Sequence, residues 1–149
     1  MSTFMNSMSS LLNPKSAITQ SIENATDDVP FFSVAGLKTK GKVVKVYDGD
    51  TVHIVFPVMG QLFKWNCRIA HVDTPELRTK DLNEKQMGYL TRDKLVELIG
   101  DKVVEIECLD FDKYGRVLAE IYYKDIHVNQ WLIENGYAHK YEGKTKEKW

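Results

Sequence analysis

The feature that most constrains the fold is a series of short runs in which apolar and polar residues alternate, which is the pattern of half-buried strands. Two runs flank Asp48-Gly49, a dipeptide typical of tight turns between antiparallel strands. A third run extends from Leu62 to Val72 and places Cys67 and Arg68 on opposite faces. The apolar members that we expect to face inward are Val44, Val46, Val52, Ile54, Phe56, Phe63, Trp65, Cys67 and Ile69.

The second half of the chain alternates between helix and strand patterns. Between Glu84 and Ile99 the period becomes helical, and Gly100 is a plausible stop. The expected inner stripe of this helix is Met87, Leu90, Thr91, Leu95, Leu98 and Ile99. Residues 104–108 and 117–123 alternate as two more strands, and residues 128–132, followed by Asn135-Gly136, predict a short second helix. The order β-β-β-α-β-β-α is typical of a mainly β fold with helices, a small five-stranded barrel of the oligonucleotide/oligosaccharide-binding (OB) type.

The ends of the chain have a different composition from the middle. Residues 1–36 are rich in Ser, Thr and Asn and show no sustained period, which predicts a flexible, disordered leader. Residues 37–141 would then form the single folded domain, and residues 142–149 a short polar tail. That tail is either a weak phosphate-binding arm or a solvated end. We expect a monomer.

No segment of the sequence looks like a membrane anchor or a secretory signal. Charged residues interrupt every apolar run well before the roughly 18 residues that a membrane-spanning helix needs. The first twelve residues lack both the basic start and the apolar core of a signal peptide. We therefore expect an intracellular protein with no membrane partner, while packaging in a virion or export without a leader would leave no readable mark.

Charge and cysteine content exclude two classes of protein. A formal net charge of −1 argues against a simple basic protein that coats nucleic acid. Carboxylates gathered around a metal would nevertheless leave a moderately basic surface for a polyanion. The two cysteines, Cys67 and Cys108, are too few for a disulfide scaffold and lack zinc-site spacing, so we expect buried, reduced thiols, and we expect Cys108, Trp65 and Trp131 in the core.

Three short strings could carry chemistry. They are Asp48-Gly49-Asp50-Thr51, then Arg68 with Asp73-Thr74-Pro75-Glu76, and Asp112-Lys113-Tyr114-Gly115-Arg116. Each string alone is an ordinary turn, strand end or hairpin loop. Together they place carboxylates at the ends of adjacent strands and a cation beside a turn.

These residue types suit a metal and a phosphate. The carboxylates of Asp50 and Asp73, the carbonyl of Thr74 and several waters would satisfy the oxygen preference of calcium. Glu76 could hold a water, whereas Asp48 is better explained as a turn residue or an indirect support. Planar guanidinium groups at Arg68 and Arg116 match pairs of phosphate oxygens.

The strings DGDTV, RIAHVDTPE and DKYGRVLAEIY, in this order and separated by a helix, resemble the thermonuclease, or staphylococcal-nuclease-like, family over about Lys42 to Tyr141. The resemblance implies an OB-type barrel that cleaves DNA and RNA with calcium and low sequence specificity, leaving 3′-phosphate ends. It implies that Asp50, Asp73 and Thr74 bind the metal. It also implies catalytic roles for Arg68 and Arg116, which would contact phosphate, and for Glu76 as general base.

The same resemblance implies a substrate pocket, and the sequence departs from the family pattern at two places. Lys113 and Tyr114 fall in the nucleotide-pocket loop, although a solvated loop explains Lys113 as well, and Tyr141 resembles the aromatic residue that lines the base pocket. The segment from Leu77 to Asn83, which would border the active site, is short, and the chain stops soon after Tyr141. The alternative function is a non-catalytic nucleic-acid-binding module, which calcium-dependent cleavage would exclude.

Overall fold

The computed structural model describes residues 21–143 and 146–149. The chain divides into two compact units, Met1–Phe32 and Ser33–Trp149. In the first unit residues 21–23 are helical, and the first 20 residues of the predicted leader lie outside the described residues. The second unit begins before the predicted boundary at residue 37, because Val34 is buried and the Gly36 amide donates to the Cys108 carbonyl at 2.8 Å.

The second unit contains strands β1–β8 and helices α1 and α2. In chain order these elements are β1 (Lys38–Val46), β2 (Thr51–Val58), β3 (Gln61–Ile69), β4 (Val72–Asp73), α1 (Leu82–Ile99), β5 (Val103–Phe111), β6 (Val117–Tyr123), β7 (Ile126–His127), α2 (Val128–Glu134) and β8 (His139–Lys140). The long elements follow the predicted order. Strands β4, β7 and β8, of two residues each, were not predicted.

The five long strands close into a barrel. Their sheet has the order β3-β2-β1-β5-β6-β7, and neighbours in this order pair antiparallel. Closure comes from a parallel pairing of β3 with β6, from Cys67 opposite Val117 to Ile69 opposite Ala119. The predicted mainly β, five-stranded OB-type fold is confirmed. Within the described residues, no helix is both long and apolar enough to cross a bilayer.

The barrel interior is apolar, but the β1 residues that face it differ from the predicted ones. Val43 is fully buried, whereas Val44 is exposed, so the predicted inward position of Val44 is wrong. The register between β1 and β2 shifts between Val43 and Lys45, and such a bulge reverses the faces that follow it. Cys67 and Cys108 are buried free thiols, as predicted.

Three aromatic predictions need correction. Phe63 is 45% exposed, so its predicted inward position is wrong. Trp65 and Trp131 are half-buried and pack against the outside of the core cluster rather than within it. Trp65 stacks on Phe56, with ring centroids 5.1 Å apart. A large indole reaches both apolar and solvated surroundings, so alternation alone does not predict its full burial.

Helix α1 starts earlier than predicted and turns a different face inward. The Asp81 side chain caps the helix by accepting from the Asn83 and Glu84 amides, so the first helical residue is Leu82. Its buried residues are Gly88, Thr91, Leu95 and Ile99, whereas Met87 and Leu90 are exposed. Gly88 faces inward because a Cβ there would lie 2.9 Å from the Pro75 carbonyl oxygen, so the contact requires the smallest residue.

Candidate functional site

The turn between β1 and β2 brings the first acidic string to the site. The Asp50 amide donates to Asp48 Oδ1 at 3.1 Å, which gives Asp48 the predicted turn role. Burial, followed by the charge and hydrogen bonding of Asp50, raises the pKa of Asp48 to about 7. A Cβ on Gly49 would lie 2.7 Å from Thr91 Cγ2 and 3.0 Å from Thr74 Cβ, so this turn packs directly against the second string.

The second string follows β4. His71 adopts a positive φ of 66°, and this backbone turn leads from β3 into β4. Asp73 pairs with His139 of β8 in the short second sheet. Asp73 and Thr74 are both only 3% exposed, whereas the Glu76 side chain is half-exposed. A buried carboxylate therefore lies close to one that water can reach.

A lysine from the C-terminal segment bridges these carboxylates. Lys146 Nζ lies 3.2 Å from Asp73 Oδ1 and 3.6 Å from Glu76 Oε1. Burial lowers the pKa of Lys146, but the attraction of Asp73, Glu76 and Asp50 outweighs burial and raises it. We call Asp50, Asp73 and Glu76 the acidic cluster, because the negative charges of all three raise the pKa of Lys146.

Arg68 is held at the edge of the acidic cluster. Its guanidinium donates to the Ile69 carbonyl at 2.8 Å and to the Val72 carbonyl at 2.9 Å. Its Nη2 also lies 3.4 Å from Asp50 Oδ2, and both side chains of this pair are largely buried. Arg68 is thus fixed in position before any ligand binds.

Arg116 is held by its own loop. Its Nε donates to Asp112 Oδ2 at 2.7 Å, and its Nη1 donates to Thr51 Oγ1 at 3.2 Å. Thr51 Oγ1 in turn donates to Asp50 Oδ1 at 2.9 Å, so a chain of hydrogen bonds links the third string to the first. All three predicted strings therefore meet.

A cavity of about 460 Å³, which we call the Tyr114 cavity, opens beside the two arginines. Its lining includes both arginines and every predicted substrate-binding residue: Arg68, Lys113, Tyr114, Arg116 and Tyr141. The Tyr114 ring is 72% exposed, and the guanidinium of Arg116 lies 5.5 Å from its centroid. The Arg68 guanidinium lies 5.9 Å from the Tyr141 ring centroid. The cavity combines cations with aromatic faces, as nucleotide sites do.

Sequence reasoning missed two parts of the site. Lys146 was not singled out, although it belongs to a lysine-rich C-terminal segment. A second cavity, of about 740 Å³, is lined by Tyr47, Asp48, Glu76 and residues 77–80 together with Lys85 and Tyr89 of α1. We call this cavity the loop groove. The sequence indicated its location in part, because the short segment from Leu77 to Asn83 was expected to border the site.

The acidic cluster suits an oxygen-preferring cation. Across residues 21–143 and 146–149, no group of three or more His, Cys, Asp or Glu side chains could hold a metal ion alone. The predicted donor set is instead two carboxylates, those of Asp50 and Asp73, completed by a backbone carbonyl at Thr74 and by water. Within this set, Asp73 already attracts a cation, because the Lys146 ammonium lies 3.2 Å from its Oδ1. Carboxylate and carbonyl oxygens are the donor types that a hard divalent ion prefers.

Comparison with known proteins agrees with this geometry. The family described as "Staphylococcal nuclease homologue" matches residues 66–148. An "Uncharacterized endonuclease" of Escherichia coli is 32% identical over 103 residues, covering 68% of this chain and 61% of that protein. "Endonuclease YhcR" of Bacillus subtilis is 34% identical over 111 residues, covering 68% of this chain and 9% of that protein.

A plant protein is also similar. The "Probable staphylococcal-like nuclease CAN3" of Oryza sativa subsp. japonica is 33% identical over 75 residues, covering 50% of this chain and 18% of that protein. The chain thus spans 61% of the Escherichia coli relative's length and a small part of the two longer ones. From the family match over residues 66–148 and from the identity to the Escherichia coli relative, the chain belongs to the staphylococcal nuclease family.

Proposed function

We propose that this chain is a calcium-dependent nuclease that hydrolyses phosphodiester bonds of DNA and RNA with low sequence specificity. The observation that carries the proposal is the double position of Arg68. Its guanidinium pairs with Asp50 of the acidic cluster and also lines the Tyr114 cavity. A phosphate held by Arg68 would therefore have a nucleotide site on one side and the carboxylates on the other. The endonuclease names of the relatives support the same activity.

Each side chain has a role that follows from its surroundings. Arg68 and Arg116 would bind the non-bridging phosphate oxygens, and their fixed positions avoid reorganisation as negative charge develops. Glu76 is half-exposed, so a water can reach it, and it would accept the proton of the attacking water. The water oxygen would bond to phosphorus while the bond to the 5′ oxygen breaks. This leaves a 3′-phosphate on one product and, after the 5′ oxygen takes a proton from solvent, a 5′-hydroxyl on the other.

Calcium would be held by the carboxylates of Asp50 and Asp73 and the carbonyl of Thr74. When bound, it would supply Lewis-acid stabilisation of the phosphate charge. Tyr114 and Tyr141 would stack on bases, and Lys113 would contact a phosphate. Stacking accepts every base, which accounts for the low sequence specificity.

One observation favours the second candidate, a non-catalytic binding module. Lys146 pairs with both Asp73 and Glu76 and offsets one of their two negative charges, so the folded chain could bind nucleic acid through its cations while the acidic cluster stays internally paired. The two candidates differ in whether bound strands are cut.

A calcium titration of cleavage tests the proposal. Single-stranded DNA and RNA would be incubated with the intact chain, Glu76→Gln, Arg116→Ala and the control Glu134→Gln, whose side chain is exposed on α2. We expect activity that requires calcium and ends with a chelator. The rate should fall about 10²-fold or more in both site variants, because each loses a group that acts on the transition state. The control should keep the wild-type rate.

Two readouts complete that test. Release of inorganic phosphate from the products by a 3′-phosphatase would show the expected product ends. Binding of the strands without cutting under any divalent ion would overturn the nuclease proposal and favour the binding module.

A further inference from the structure

The loop groove and the Tyr114 cavity both involve the acidic cluster, but different residues line them. Its lining includes Asp48 and Glu76, whereas the Tyr114 cavity includes Arg68 and Lys146, which pair with the same cluster. The two sets of lining residues have no member in common. Each cavity is therefore lined by at least one residue that belongs to the acidic cluster or pairs with it.

The loop groove has the chemistry of a single-strand site. Three cations line it, Arg78, Lys80 and Lys85, together with the rings of Tyr47 and Tyr89, each 42% exposed. Arg78 Nη2 donates to the Tyr47 hydroxyl at 3.0 Å, so a cation and an aromatic ring form one surface. Alternating cations and exposed aromatic faces are what a nucleic-acid backbone and its unstacked bases require.

Local contacts hold the wall of the groove in place. The Glu76 amide donates to Glu84 Oε2 at 2.9 Å, which ties the start of the segment to the first turn of α1. Asp81 caps the same helix, and the Gly88 backbone packs against the Pro75 and Glu76 carbonyls. The groove is consequently a surface of fixed shape between an anchored segment and a helix.

We propose that the loop groove binds a second stretch of single-stranded nucleic acid, on the opposite side of the scissile bond from the stretch in the Tyr114 cavity. This inference rests on the proposed nuclease function, since the acidic cluster marks the scissile phosphate. A strand that continues through both cavities presents an internal phosphodiester to the cluster. The chain would therefore favour long strands over dinucleotides and cut within them.

Binding measured in chelator tests the groove without requiring cleavage. The probe is a fluorescein-labelled oligothymidylate of about 12 nucleotides, long enough for the two cavities together, and an unlabelled thymidine dinucleotide serves as a competitor. The double variant Arg78→Ala/Lys80→Ala removes two groove cations. The matched control Lys38→Ala/Lys40→Ala removes two exposed cations of β1, which line a separate cavity. Circular dichroism of each variant checks its folding.

We expect the groove variant to bind the long probe about 10-fold more weakly, with the salt-dependence slope reduced by about 1 to 2. Its affinity for the dinucleotide should stay unchanged, and the control should bind the long probe like the wild type. Equal weakening in the control would overturn the proposal, because the effect would then be general electrostatics. Equal loss for the dinucleotide, or no loss for the long probe, would overturn it too.

The result separates this proposal from the proposed function. If the wild-type chain binds the long probe through the groove but never cuts it, the groove proposal stands and the nuclease proposal is overturned. If the wild-type chain cuts with calcium and the groove variant binds and cuts normally, the nuclease proposal stands and the groove proposal is overturned.

Discussion

Single residues in this chain set the geometry of the site through close backbone contacts. Gly49 is an example, because the turn that carries Asp48 and Asp50 approaches Thr74 and Thr91 more closely than any side chain would allow. The sequence shows a turn signal at this place. Only the folded structure shows that the turn requires glycine because another segment lies against it.

We expect Gly49→Ala to destabilise the chain by about 1–3 kcal/mol, the usual cost of overpacking, and to lower activity by displacing Asp50. Denaturant unfolding and the calcium-dependent cleavage assay measure the two effects. Thr91→Ser removes the Cγ2 atom that the new methyl would meet at 2.7 Å. The double variant Gly49→Ala/Thr91→Ser should therefore recover part of both losses, and full additivity of the two substitutions would contradict this explanation.

Asp112 should give a pH-dependent contribution to stability. Burial raises its pKa, but the Arg116 and Tyr114 amides and the Arg116 side chain outweigh burial and hold it below the ordinary value of 3.8. A depressed pKa means that the unfolded chain takes up the proton first as pH falls. The stabilisation is therefore present above about pH 5 and is lost as pH falls through the folded-state pKa.

Asp112→Asn tests this contribution, because asparagine keeps one acceptor oxygen but carries no charge. The measurement is the free energy of unfolding of both proteins between about pH 7 and pH 3. The wild type should be the more stable at neutral pH, and the difference should shrink on acidification. A difference that grows as pH falls would contradict the assigned sign.

At the scale of elements, short segments connect the barrel to its site. Strands β4 and β8 pair only two residues each, yet they position Asp73 beside the C-terminal segment. Helix α2 is likewise short, and Asn129 attaches it to the barrel. The Asn129 side chain accepts from the Ile121 amide and donates to the Ala70 and Ala119 carbonyls, at 2.9 to 3.0 Å.

We expect Asn129→Ala to destabilise the fold by about 2–4 kcal/mol, because the Ile121 amide and the Ala70 carbonyl would lose this buried partner, whereas the Ala119 carbonyl keeps the Ala70 amide. The control is Gln130→Ala, a change at the next, exposed position of the same helix, which should cost less than about 0.5 kcal/mol. Equilibrium denaturation of both variants measures the difference. Alanine has the higher helix propensity, so propensity cannot produce a loss in either variant. A loss in Asn129→Ala no larger than that in Gln130→Ala would therefore show that the bonds of Asn129 contribute little.

At the scale of the whole folded unit, its last residues return to the site near its middle. Lys146 reaches the acidic cluster, and the Trp149 ring stacks on His139 of β8 with centroids 3.7 Å apart. The tail was expected to be either a phosphate-binding arm or a solvated end. The contacts of Lys146 instead place its ammonium against carboxylates, where it would compete with a metal.

We expect Lys146→Ala to raise the affinity for calcium by about threefold to tenfold, because the competing charge is removed. Isothermal titration calorimetry measures this affinity without relying on cleavage. Lys148→Ala removes the same charge from the same segment, and no ion pair of Lys148 is found in the described part of the chain. Unchanged calcium affinity in Lys146→Ala, or an equal gain in Lys148→Ala, would show that the ammonium does not compete.

The sequence by itself determined the order of the long elements along the chain, the barrel class and the identity of the three chemical strings. These follow from local information: alternation with period two, the helical period after Glu84, and turn signals such as Asp48-Gly49. The same local signals failed at Val44 and Leu90. A bulge on β1 and the approach of the 75–77 segment to Gly88 decided which face is buried, and neither leaves a mark in hydrophobic periodicity.

Only the tertiary structure decided how the strings meet and what else reaches them. The fixed guanidinium of Arg68, the contact of Lys146 with the acidic cluster and the loop groove each join residues that are distant in sequence or belong to different elements. Barrel closure contributes as well: the parallel pairing of β3 with β6 places Arg68 opposite Leu118, near Arg116, a proximity that no local pattern encodes. Motifs thus name the chemical groups, whereas strand register and chain packing determine which groups act together.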